Sequence, residues 1–266
     1  MGKLGFATGE YRISYTPSFR AYFVNVDIEQ FNNVADASAS IDLSRQGKLT
    51  ANASYRNFSS LQALAEANPD GSFDILASNR GGVIRATGDI GYTHSTSPTS
   101  QLSFQGQFQD YAYRQSNNVG NKAIGLTASY TTMRSSRLSI GGSLAVRYRL
   151  FDDQEFIVGV LPLKVQGSRV TLANLNLLVS YALSPNMNFN LQVGPSLIHT
   201  APGGVSGRPT PASDDDFTYF ASASLTRQFK DSTMRLSYER SEDPSGGLNR
   251  TSISDTILLS LTCLLY

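Results

Sequence analysis

Few groups that do chemistry are present in this sequence. One cysteine, Cys263, excludes an internal disulfide framework and any cysteine-rich metal site. Two histidines, His94 and His199, come with no haem-binding motif and no phosphate-binding glycine loop, so neither a metal nor a cofactor is expected. Tryptophan is absent, which leaves amphipathic aromatic roles to tyrosine and phenylalanine. Charge of neither sign dominates: Lys plus Arg is 22 and Asp plus Glu is 21, so nothing directs the chain to nucleic acid. No apolar run reaches about 18 residues, which excludes a transmembrane helix. The stretch from Met1 to Phe6 lacks the apolar core of a signal peptide, so an exported chain would have had its signal removed. Hydrophobic residues make up only 40%, thin for a soluble domain of 266 residues, yet the patterning is too regular for disorder.

What is present is alternation. Between Phe217 and Tyr266, Tyr219, Ala221, Ala223 and Leu225 alternate with Phe220, Ser222, Ser224 and Thr226. Met234, Leu236 and Tyr238 then alternate with Arg235, Ser237 and Glu239, and an apolar run from Ile257 reaches Tyr266. Strand side chains have a period of two, so each run has one apolar and one polar face. Twelve such segments follow one another from Tyr11 onward. An apolar end such as Tyr266 would fray in a soluble protein. In a bilayer it would pair with the first strand, Gly9 to Phe23, and close a barrel. The last apolar register runs through Leu259, Leu261, Cys263 and Leu265, so Tyr266 is out of phase, and a bulge near Leu264 or an unladdered Tyr266 is expected.

The connections sort by length. Short corners at Gln46-Gly47, Thr96 to Thr99, Arg134 to Ser136, Ser184 to Asn186 and Lys230 to Ser232 alternate with longer stretches. The latter are Asn25 to Val34, Ser59 to Gly82, Gln115 to Asn121, Phe151 to Val170, Thr200 to Asp216 and Arg240 to Thr251. The reading is an all-β chain, residues 1–266 forming one closed antiparallel transmembrane β-barrel of twelve strands, with short periplasmic turns and long external loops. Leu61 to Asn68 is expected to form a short loop helix. Phe156 to Leu161 is an apolar loop patch that folds inward, extends the strands or binds a partner. Asp214 to Asp216 reads as a solvated loop end or a cation attractor.

On this reading, outward tyrosines form two interfacial girdles. Tyr11, Tyr92, Tyr130, Tyr181 and Tyr266 lie near the periplasmic rim, and Tyr55, Tyr148, Tyr219 and Tyr238 near the external rim. The polar face carries Arg12, Arg20, Arg56, Arg85, Arg147, Arg149 and Arg235 with Asp36, Asp42, Asp89 and Glu239. It also carries Gln105, Gln107, Asn188 and Asn190. Inside a barrel these either line a channel for polar solutes, with arginine favouring anions, or pair into a salt-bridged plug. His199 faces outward at the external end of its strand, a place where a hydrolase could keep a base, but no serine or asparagine at a diagnostic spacing accompanies it. No enzyme is expected.

Glu10 to Phe19 with the Ser/Asp-rich second strand, Ala221 to Phe229, Met234 to Glu239, Pro244 to Gly247 and the closing strand resemble outer-membrane β-barrels of the β-barrel porin 2 type. That group occurs near bacterial exopolysaccharide and exosortase-type loci. The resemblance implies a bacterial outer-membrane barrel with a porin or export role, and supplies no catalytic residues. The partners expected are outer-membrane lipid, the barrel assembly machinery, and polysaccharide or polysaccharide-export components.

Overall fold

The computed structural model describes residues 8–21, 29–58, 82–113, 119–158, 161–204, 212–244 and 251–263. The secondary structure there is strand throughout: β1 (Thr8–Ala21), β2 (Glu29–Asp42), β3 (Gly47–Phe58), β4 (Val83–Ser97), β5 (Ser100–Tyr113), β6 (Asn121–Met133) and β7 (Leu138–Phe151), then β8 (Gln154–Val158), β9 (Leu161–Val165), β10 (Arg169–Ser184), β11 (Met187–Ala201), β12 (Asp214–Gln228), β13 (Ser232–Pro244) and β14 (Thr251–Cys263). Twelve of them make one antiparallel sheet in the order β1-β2-β3-β4-β5-β6-β7-β10-β11-β12-β13-β14. β8 and β9 form a separate hairpin, so Phe156 to Val158 and Leu161 lie in strands. The expected helix at Leu61 to Asn68 and the phase slip at Tyr266 lie outside the described residues.

One rim has the connections 43–46, 98–99, 134–137, 185–186 and 229–231; the other has 22–28, 59–82, 114–120, 152–168, 202–213 and 245–250. Side-chain and backbone bonds tighten the short rim: Leu138 N–H donates to Ser135 Oγ at 3.1 Å and Leu43 N–H to Gly47 O at 2.9 Å. Several strands run further than alternation indicates. Glu29 to Asn33 belongs to β2, Asp214 to Asp216 to β12, Arg240 to Pro244 to β13 and Thr251 to Thr256 to β14. These ends are largely polar on both faces, so the two-residue hydropathy signal vanishes although the ladder continues. The acidic run is thereby split: Asp215 pairs with His199, while Asp214 and Asp216 point to the other face opposite Thr200 and Ile198. Alternation in a strand keeps the three carboxylates from converging on one cation.

The expected seam between β14 and β1 is not formed. β1 pairs only with β2 and β14 only with β13, so each presents one unpaired edge. A curved sheet closes only when strand number, tilt and stagger agree. The stagger is substantial: the register row from Tyr11, near the start of β1 at the short-turn rim, passes Ala39, Ala51, Ile90 and Gly106. It continues through Leu126, Val146, Ala173 and Leu197 to Phe217, near the long-loop rim of β12. Pro195, which has no N–H, interrupts the β10–β11 ladder, which skips from Asn174↔Ser196 to Leu177↔Val193. At the adjacent Gly194 a Cβ would run into the Leu175 carbonyl, so glycine is what permits this close approach.

The two faces differ as two solvents would require. Ile13 is 85% exposed, Phe217 78%, Ile257 74% and Leu126 67%, all on one face. A continuous apolar surface of this kind is far beyond the patches that a monomer keeps in water.

Candidate transport lumen

Pairing puts the proposed lumenal residues on one face because opposed residues in a ladder share a face. Arg12 opposes Ser38, and Ser38 opposes Asn52. Asn52 opposes Asp89, Asp89 opposes Gln107, and Gln107 opposes Gly125, which opposes Arg147. Arg56 stands opposite Arg85, and Gln105 opposite Gly91. Arg149 lies opposite Val170, Asn188 opposite Thr226, Asn190 opposite Ser224, Arg235 opposite Thr226 and Glu239 opposite Ser222. Asp42 shares this face opposite Lys48. The backbone of Arg20 pairs with Gln30; its side chain lies outside the described ones. The eight tyrosines Tyr11, Tyr55, Tyr92, Tyr130, Tyr148, Tyr181, Tyr219 and Tyr238 sit on the opposite face. Seven lie toward a rim, whereas Tyr238 is the middle residue of β13 because that strand runs on to Pro244.

Several charges on the polar face stand without an ion pair. Among the described residues Arg12, Arg147, Arg235, Asp42 and Glu239 take part in no ion pair. Hydrogen bonds on this face include Asn52 Nδ2 donating to the Asp89 carboxylate at 2.9 Å, Ser180 Oγ to Asn190 Oδ1 at 2.7 Å, and the Ser103 and Ser129 hydroxyls meeting at 2.6 Å. Arg85 lies over the Tyr111 ring at 5.2 Å.

Two concavities follow from the curvature. A groove of about 200 Å³ in the short-turn half is lined by Ser139, Ser180, Asn190, Gln192, Ser222 and Ser224 together with the aliphatic Leu178, Val179 and Leu191. A chamber of about 250 Å³ nearer the long-loop rim collects Gln107, Thr127, Arg147, Asn174, Phe220 and Glu239. These residues come from β5, β6, β7, β10, β12 and β13, so the sheet curls around them.

Sequence patterning misses what covers this face toward the long-loop rim. Phe58 and Val83 pack with Val34, Tyr111 and Tyr113. Val119, Phe151, Val170 and Ile198 pack with Leu172. The signal was parity: Phe58 keeps phase with Ser54 and Arg56, and Phe151 with Arg147 and Arg149.

The ion pairs on strands lie on the apolar face. His199 Nδ1 is 2.6 Å from Asp215 Oδ1, a partner that the loop assignment of Asp215 concealed. Arg240 Nη1 donates to Asp255 Oδ2 at 2.9 Å, and Arg240 also stacks 4.5 Å from the Tyr219 ring centre. No group of three or more metal-ligating side chains occurs among the described residues.

The fold is an up-and-down antiparallel wall with one apolar face, one polar face and the longer loops sorted to one rim, and it resembles the walls of outer-membrane β-barrels. Solved structures of such barrels share it. The chain is similar to the ferric-catecholate import receptor Fiu from E. coli K12 in its open form, with 12% identity and a TM-score of 0.51, over 96% of this chain and 53% of that one. It is also similar to a mutant of the ferric enterobactin receptor PfeA from Pseudomonas aeruginosa, with 9% identity and a TM-score of 0.50, over 95% of this chain and 41% of that one. The chain thus spans about half the length of these receptors, and the likeness is one of fold. No protein-family model and no curated protein sequence matches it.

Proposed function

We propose that the chain is an outer-membrane β-barrel that passes polar solutes along its arginine-, glutamine- and asparagine-lined face, with β14 closing against β1 across the present edges. The observation that carries this is the charge distribution. Arg12, Arg147, Arg235, Asp42 and Glu239 are unpaired on the concave face, while the opposite face exposes isoleucine, leucine and phenylalanine. Closure satisfies the edge groups that a bilayer leaves no water to satisfy, and the stagger of the register rows provides the tilt a barrel needs. Saccharides are the solute class that the porin-type resemblance suggests. The two apolar clusters on the same face favour a second reading, a barrel with a shut external mouth that serves as an anchor or assembly partner through its long loops.

Planar-bilayer recording of the refolded protein separates the two. The channel reading expects stepwise current from the wild type. No current from the wild type, nor from a Phe58→Ala/Phe151→Ala variant that still shifts on heating in gels, would sink it. Closure has its own test: Cys263 is exposed on the apolar face of β14. Cysteine placed in turn at Gly9, Tyr11 and Ile13 should yield one intramolecular disulfide; only intermolecular products would show that a second copy meets the edge.

A further inference from the structure

We propose that the chamber bounded by Gln107, Arg147, Asn174, Phe220 and Glu239 binds one small zwitterionic solute of the α-amino-acid class; this rests on the pore reading for polar solutes and replaces saccharides as the solute class. Arg147 on β7 and Glu239 on β13 line the same space, although β10, β11 and β12 separate their strands in the sheet. Neither is in an ion pair, with the other or with any described residue. An unpaired guanidinium offers a carboxylate two parallel N–H bonds. An unpaired carboxylate offers an ammonium the complementary contact. Arg240 also lines the space, but its guanidinium is held by Asp255 at 2.9 Å and by the Tyr219 ring. A simple anion would satisfy Arg147 and be repelled by Glu239, and a neutral sugar would meet neither charge. A solute carrying both charges meets both.

The remaining lining agrees. Asn174 lines the chamber, and its Oδ1 has no hydrogen-bond donor. Gln107 and Thr127 add neutral bonding groups, and Phe220 and Leu172 an apolar surface for the rest of the solute. At about 250 Å³ the chamber lies below the roughly 300 Å³ at which sites for drug-sized ligands begin, which suits one amino acid and not an oligosaccharide. Gly125 supplies part of the room: a Cβ there meets nothing nearer than the Val146 carbonyl at 3.7 Å, and Arg147 Nε lies at 3.9 Å.

The chain has no tryptophan, so Phe220→Trp places a single indole reporter at the site. Titration of that protein in detergent with L-glutamine should give a saturable emission change. Arg147→Gln and Glu239→Gln should each weaken it at least tenfold, and Gly125→Leu should abolish it. D-glucose and D-glucuronate should have no effect at the same concentrations. Calorimetry of the tryptophan-free parent guards against a reporter that perturbs folding, and should show the same glutamine binding. A response to glucuronate that exceeds the one to glutamine, equal responses to all three solutes, or indifference to Arg147→Gln would each overturn the proposal. Stepwise current without glutamine binding would overturn it and leave the pore; glutamine binding without current would overturn the pore and leave the site.

Discussion

Arg240 Nη1 donates to Asp255 Oδ2 at 2.9 Å between β13 and β14, on the face that also carries Leu236, Ile257 and Leu259. The Tyr238 hydroxyl donates to the other carboxylate oxygen at 2.8 Å, and the Tyr219 ring lies under the guanidinium. Both charges therefore sit among apolar neighbours at the level of the long-loop tyrosines. An ionised group at an apolar surface is tolerated when its partner and hydrogen bonds accompany it, and removal of one partner is the costly change.

Asp255→Leu should accordingly lower the urea midpoint of the folded, heat-modifiable form in lipid vesicles. The Arg240→Leu/Asp255→Leu double variant should recover much of the loss. A double variant no more stable than the single one would show that the two groups are not coupled.

The apolar cluster at the long-loop rim makes a second prediction. Phe151 is 3% exposed and packs with Val119, Val170 and Ile198. Truncation to alanine removes a buried ring and leaves a cavity, a loss of about 3–4 kcal/mol. The unfolding midpoint should fall accordingly, and single-channel conductance should rise if this cluster narrows the mouth. Unchanged conductance with lowered stability would assign the cluster to the wall alone.

A third prediction concerns acid. Asp153, beyond the end of β7, accepts from the Gly167 N–H at 2.8 Å and faces Lys164 Nζ at 3.3 Å. The backbone bond first, and the lysine next, hold its carboxyl below the usual carboxylate range. A depressed carboxylate stabilises above its unfolded value, and that contribution is lost as pH falls through the folded value. At neutral pH, Asp153→Asn should therefore speed amide exchange at Gly167. In strong acid, wild type and variant should exchange alike; a difference that persists there would mean that the carboxylate charge is not what holds the loop.

The strands were legible because Tyr11, Ile13 and Tyr15, or Leu175, Leu177 and Val179, alternate strictly with polar neighbours. The strand ends were not. Asp214 to Asp216 and Arg240 to Pro244 are mostly polar on both faces, so hydropathy carries no period there, although backbone pairing continues. The paired Asp215 and Asp255 were hidden for that reason. The hairpin β8–β9 was visible only as an apolar patch, since five-residue strands give too few alternations to decide their pairing.

Which residues share a face follows from the sequence alone, because a strand's side-chain period of two is a property of the backbone and not of its neighbours. It determined the tyrosines as one set and the lumenal arginines as another. Which members of a face meet was decided by the tertiary structure. Arg147 and Glu239 come to one chamber, and Phe151 meets Ile198, through curvature and stagger accumulated from strand to strand. Those quantities belong to the sheet as a whole, and no local pattern records them.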